Sequence, residues 1–100
     1  MVKTLYAEFT NGLPTYSFLG TVIKNDNSTY IVIVTSDQTG TMYLNYELPS
    51  GTRNANPIAF TSSFDITDEM TAEQGTLKIS VMIVSGEQTL FCKPIQIRVK

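Results

Sequence analysis

Apolar residues recur at every second position along most of the chain. In Thr76–Ser85, Leu77, Ile79, Val81 and Ile83 point one way and Lys78 and Ser80 the other. Ile97 and Val99 alternate with Gln96, Arg98 and Lys100 in the same manner. A period of two is the signature of a strand with one face on a core. It predicts strands near Lys3–Phe9, Tyr16–Ile23, Tyr30–Thr35, Met42–Glu47, Ile58–Phe60, Thr76–Ser85, Thr89–Cys92 and Ile95–Val99. The second of these is expected to kink at Gly20. The run Tyr30–Thr35 is apolar on both faces and is expected at the centre of a sheet. Leu44, Leu77, Ile79, Val81, Ile83, Ile97 and Val99 form the expected core.

Turn chemistry separates these runs. Asn11-Gly12, Asn25-Asp26-Asn27-Ser28, Gln38-Thr39-Gly40 and Gly86-Glu87-Gln88 are rich in residues that tolerate reversed backbone. Pro49 stops a strand and Gly51 permits the reversal that follows. Pro94 marks an edge or a bulge, because it cannot donate to a ladder. Phe64–Gly75 is the one segment without a clean period. It reads as a short strand followed by a single helical turn near Asp68-Glu69-Met70, which Gly75 would end.

The expected fold is therefore all-β: an immunoglobulin-like antiparallel β-sandwich of seven to eight strands. It lacks the antibody hallmarks, since Trp is absent and Cys92 is alone. At 100 residues it is one domain, spanning 1–100. The sequence reaches Lys100 inside a strand, so the domain is expected to be the N-terminal part of a longer protein.

Composition narrows the function classes. The formal charge is −2 and no basic stripe follows a phosphate backbone, which disfavours nucleic acid. No apolar stretch suggests a signal peptide or approaches the roughly 20 residues of a membrane span, so no membrane role and a cytosolic site of synthesis are expected. Histidine is absent, which removes the usual zinc sites and His-based nucleophile pairs. No enzyme activity and no cofactor are expected.

Several groups merit weighing. Asp65, Asp68, Glu69 and Glu73 form the one acidic cluster, but their spacing is not that of a calcium loop, and no metal is expected. Asn27-Ser28-Thr29 fits a glycosylation sequon and also fits a plain turn. The five tyrosines Tyr6, Tyr16, Tyr30, Tyr43 and Tyr46 would make a glycan platform if several shared an exposed face; otherwise they cover sheet faces. The loop Thr52–Pro57 is either a corner or an interaction loop, with Arg53 its one charged residue. Tyr43, Asn45 and Glu47 lie opposite the Met42, Leu44 and Tyr46 face. With Arg53 they are the candidate protein-contact residues.

The order "YELPSG", a polar loop, "FDITDEMTAEQGTLKISVMI" and a closing "CKPIQIRVK" resembles the N-terminal immunoglobulin-like domain of phage baseplate upper proteins and related tail proteins. Tyr46, Pro49, Gly51, Gly75 and Pro94 stand at the matching places, from about Tyr30 onward. The Asp common at the middle of the Pro-x-Gly turn is replaced by Ser50. The resemblance implies a virion structural protein, made in the bacterial cytoplasm, that contacts other phage structural proteins or copies of itself. The alternative class is a module that binds a cell-surface carbohydrate.

Overall fold

The computed structural model describes residues 1–100 and contains only strands, turns and loops. The strands are β1 (Val2–Thr10), β2 (Leu13–Pro14), β3 (Phe18–Val22), β4 (Thr29–Ser36), β5 (Thr41–Glu47), β6 (Ile58–Phe60), β7 (Ser63–Asp65), β8 (Gly75–Ser85), β9 (Gln88–Phe91) and β10 (Ile95–Val99). They form two packed sheets. One has the order β2-β1-β4-β7. The other has the order β3-β10-β8-β5-β6, with β9 also paired to β8. The all-β sandwich expected from the periodicity is the fold observed. Seven strands have four residues or more, and β2, β6 and β7 are shorter additions.

The sheets are not wholly antiparallel, which corrects the expectation. β1 runs parallel to β4 from Val2 opposite Thr29 to Phe9 opposite Ser36. β3 runs parallel to β10. Both pairs join segments distant in sequence, where no hairpin dictates direction. The hairpins themselves follow turn chemistry. Asn11 and Gly12 both have positive φ, the type I′ requirement, and close Thr10 against Leu13. Gly86 alone has positive φ between Ser85 and Gln88, as a type II′ turn needs.

The inward faces build one core of 18 side chains. Leu44, Leu77, Ile79, Val81, Ile83, Ile97 and Val99 are all within it, at no more than 2% exposure. β4 lies between β1 and β7, and Tyr30, Val32 and Val34 are its inward set. Tyr30 is buried despite its hydroxyl because the group is satisfied. It donates to Asp26 Oδ2 at 2.6 Å and accepts from the Ile23 amide at 3.2 Å. Lys3 Nζ reaches the same carboxylate at 2.8 Å. Hydrogen bonds from Lys3, Tyr30 and the Ser28 amide hold the Asp26 carboxyl far below the usual carboxylate range.

Two local expectations change. Tyr16 precedes β3 and is exposed rather than part of a strand. The segment after β7 makes the single helical turn expected there, with the Thr71 amide donating to Thr67 O. It drives Met70 to 2% exposure, so it plugs the end of the core. Gly75, at φ 127°, opens β8 instead of ending a helical turn. A Cβ there would sit 3.0 Å from Pro49 Cγ, so glycine also lets the Pro49 turn pack against β8. Pro94 does mark a break. From Met82 to Ile79 on β8 is three steps, while from Phe91 to Ile95 opposite is four, a one-residue bulge between β9 and β10.

Candidate functional site

The outer face of the β5–β8 sheet is built in cross-strand rows. Because paired residues share a face, the register brings Ala59, Tyr43, Met82 and Phe91 into one apolar row across β6, β5, β8 and β9. Phe91 is 75% exposed at its end. The next row is Asn45 beside Ser80, and the third is Glu47, Lys78 and Gln96. Tyr43, Asn45 and Glu47 therefore occupy successive rows on one face.

Arg53 joins them. The chain leaves β5 at Leu48 and turns through Pro49-Ser50-Gly51, closed by the Gly51 amide donating to Leu48 O at 2.8 Å. Leu48 N then bonds Thr52 O at 2.8 Å, and Arg53 pairs back opposite Glu47 as an isolated bridge. Its Nη2 and Nε stand 2.7 and 2.9 Å from Glu47 Oε2. Asn54 continues the loop: its Oδ1 accepts the Tyr46 amide at 2.9 Å, and its Nδ2 donates to Asn45 Oδ1 at 3.2 Å. Ser50 is clamped from the other side, with Glu73 accepting from its amide at 2.9 Å and its hydroxyl at 2.6 Å. The 48–54 segment is thus a pinned corner that also shapes a surface.

Asn45, Tyr46, Glu47 and Arg53, together with Lys78, Ser80 and Pro94, line an open groove of about 300 Å³. Its charges are Glu47, Arg53 and Lys78, net positive on a chain that is net negative. Arg53 is already paired in water, so the ion pair by itself contributes little to stability, about 0–1 kcal/mol. The groove offers hydrogen-bond partners and a flanking apolar row. Cys92 is not among its lining residues; it lies buried, and burial pushes its thiol up.

Asp65, Asp68, Glu69 and Glu73 do not converge into a group that would hold an ion. Asp65 ends β7 and Glu73 is bound to Ser50. Asn27 takes a left-handed turn conformation, φ 60°. Of the tyrosines, Tyr30 is buried and Tyr43 and Tyr46 are half-buried, while Tyr6 and Tyr16 are exposed.

A second surface was not singled out by the sequence reading. Met1, Val2, Tyr6, Leu13, Tyr16, Phe18 and Ile23 are all exposed, and they belong to the first 23 residues. Ile58 and Phe91 are the other exposed large apolar side chains. Ala7 and Phe9 of β1 are buried, so Val2 and Tyr6 face outward, and the register sets Leu13, with Ile31 and Ile33 of β4, on the same face, while Phe18 pairs with Gln96 on the outer face of the other sheet. The chain matches no protein-family model and no curated protein sequence.

Proposed function

We propose that the chain is a non-enzymatic assembly module of a phage or prophage tail protein, of the baseplate kind. It works by protein–protein contact with other phage structural proteins or with copies of itself. One observation carries this reading: Val2, Tyr6 and Leu13 are exposed on the outer face of the β2-β1-β4 sheet, which Ile31 and Ile33 of β4 share. Such an apolar face fits burial against protein. The β10-β8-β5-β6 order supports an immunoglobulin-like assignment, since it corresponds to the G-F-C-C′ sheet of variable-type domains. The groove lined by Asn45, Glu47 and Arg53, with Tyr43 beside it, is a second contact surface, polar enough for a reversible contact. In this reading the protein is made in the bacterial cytoplasm and incorporated into the virion.

A carbohydrate-binding role is the second reading, favoured by the joint exposure of Tyr6 and Tyr16. The Thr15 amide donates to Glu8 O at 2.8 Å, which sets the backbone before Tyr16 beside the end of β1. Two experiments separate the readings. Antibody against the chain should label the tail tip of particles from the producing bacterium in electron micrographs, and a glycan array should be blank. Unlabelled particles, with saturable glycan binding lost in Tyr6→Ala or Tyr16→Ala, would replace assembly by sugar recognition.

A further inference from the structure

We infer that the free edge of β1 pairs antiparallel with β1 of a second copy, centred on Thr4, and so joins two sandwiches through a continuous sheet. The inference rests on the assembly reading and names its partner.

The edge is fixed by hydrogen-bond parity. Met1 O accepts the Thr29 amide at 2.9 Å and Phe9 O accepts the Asp37 amide at 3.4 Å, both on the β4 side. In a parallel ladder the same groups alternate between the two sides of a strand. Residues 3, 5 and 7 therefore also address β4, and residues 2, 4, 6 and 8 address the opposite edge. β2 covers that edge only at its far end, where Glu8 O accepts the Thr15 amide. The amides and carbonyls of Val2, Thr4 and Tyr6 have no partner strand. Such a row is a template for another strand.

Self-pairing follows from what the edge carries. Centring the antiparallel register on Thr4 sets Thr4 against the partner's Thr4, and Val2 against the partner's Tyr6. All of these are hydrogen-bonded positions, because the even residues hold the free groups. A β-branched residue against an aromatic one, and Thr against Thr, are favourable cross-strand pairs. Val2 and Tyr6 are 62% and 69% exposed, so each gains cover. Charge does not oppose the pairing. An inward lysine often protects an edge, but Lys3 is neutralised by Asp26. Glu8 falls outside the paired stretch. The contact is isologous and closes at two copies.

Sedimentation equilibrium of this chain from micromolar to millimolar concentration should show a reversible monomer–dimer equilibrium. Thr4→Pro removes a free amide without touching the β4 ladder and should raise the dissociation constant about tenfold or more, with melting little changed. Thr4→Cys treated with diamide should give a disulfide dimer on a non-reducing gel. Hydrogen-bonded antiparallel partners lie about 5.5 Å apart, within the disulfide range. Tyr6→Cys should not cross-link, because its copies would stand about 13 Å apart along the strands. Cys92 is buried and does not compete. A chain that stays monomeric, or Thr4→Cys that cross-links no better than Tyr6→Cys, overturns the inference. A dimer that survives Thr4→Pro and shows no Thr4 cross-link also overturns it, while leaving the assembly reading intact through another surface. Unlabelled virions with a Thr4 cross-linked dimer would instead sink the phage reading and keep the edge.

Discussion

Ile79→Ala tests the packing of the sandwich at its centre. Ile79 is fully buried on β8, opposite Ile95 on one side and Tyr46 on the other. The change removes about three carbons, worth roughly 2.4 kcal/mol at ~0.8 kcal/mol per buried carbon. The ladders on both sides limit collapse, so a cavity term adds. With ~75 Å³ left open at ~24 cal/mol per Å³, it contributes about 1.8 kcal/mol. The sum of about 4 kcal/mol is a large fraction of the ~5–15 kcal/mol expected of such a domain. Urea titration followed by circular dichroism should show the midpoint falling with the slope unchanged. Ile79→Val, which removes one carbon, should cost about 1 kcal/mol. A loss under half a kcal/mol for Ile79→Ala, about the spread of a neutral surface substitution, would show that β8 does not face the core this way.

Acid should weaken the Lys3–Asp26–Tyr30 cluster. The Asp26 carboxyl is held below its ordinary value of 3.8, so its contribution is complete above that value and fades as pH falls through the lower folded one. Melting temperatures from pH 6 to pH 2 should therefore drop more steeply for the native chain than for Asp26→Asn; equal slopes would remove Asp26 from this role. Gly40→Ala should destabilise by about 2 kcal/mol or more, since φ is 147° and a Cβ would lie 2.5 Å from the Val84 carbonyl oxygen. An unchanged melting temperature would show that β8 does not pass there. Cys92 should resist Ellman's reagent at pH 8 in the folded chain and react at once in urea, because it is buried and its thiol is pushed up. Rapid native reaction would mean that the β9–β10 break opens readily.

The inward residues of β8 and β10 were legible because a strand with one buried face repeats every two residues whatever its neighbours. The direction of β1 and β3 was not, because the same period suits a parallel or an antiparallel partner. Met70 was illegible for a different reason. It lies in a largely polar segment with no two-residue period, and only the tertiary packing that seats it in the core, with Ile66 packed alongside that core, gives it a place. At the groove, the spacing placed Tyr43, Asn45 and Glu47 on one face of β5. What it did not hold was Lys78 and Ser80 across the ladder, or Asn54 binding Asn45, since both depend on register. The exposed β1 edge was hidden similarly, for a strand's free side is defined by which strands fail to cover it.

The parallel pairing of β3 with β10 has a consequence for how the protein is made. Gly20 lies opposite Ile97, a separation of 77 residues, and β10 is the only strand beside β3. At about 5–20 residues per second, a ribosome takes roughly 4–15 s to supply that partner after β3 has been synthesised. For that interval Phe18 and Leu19 belong to a strand with nothing to join, and β8, once made, lacks its neighbour along Gly75–Ile79 until β10 follows. The nascent chain thus cannot complete the larger sheet vectorially. Closure waits for the strand inserted between β3 and β8, and the window before it is when the emerging chain most needs protection from aggregation.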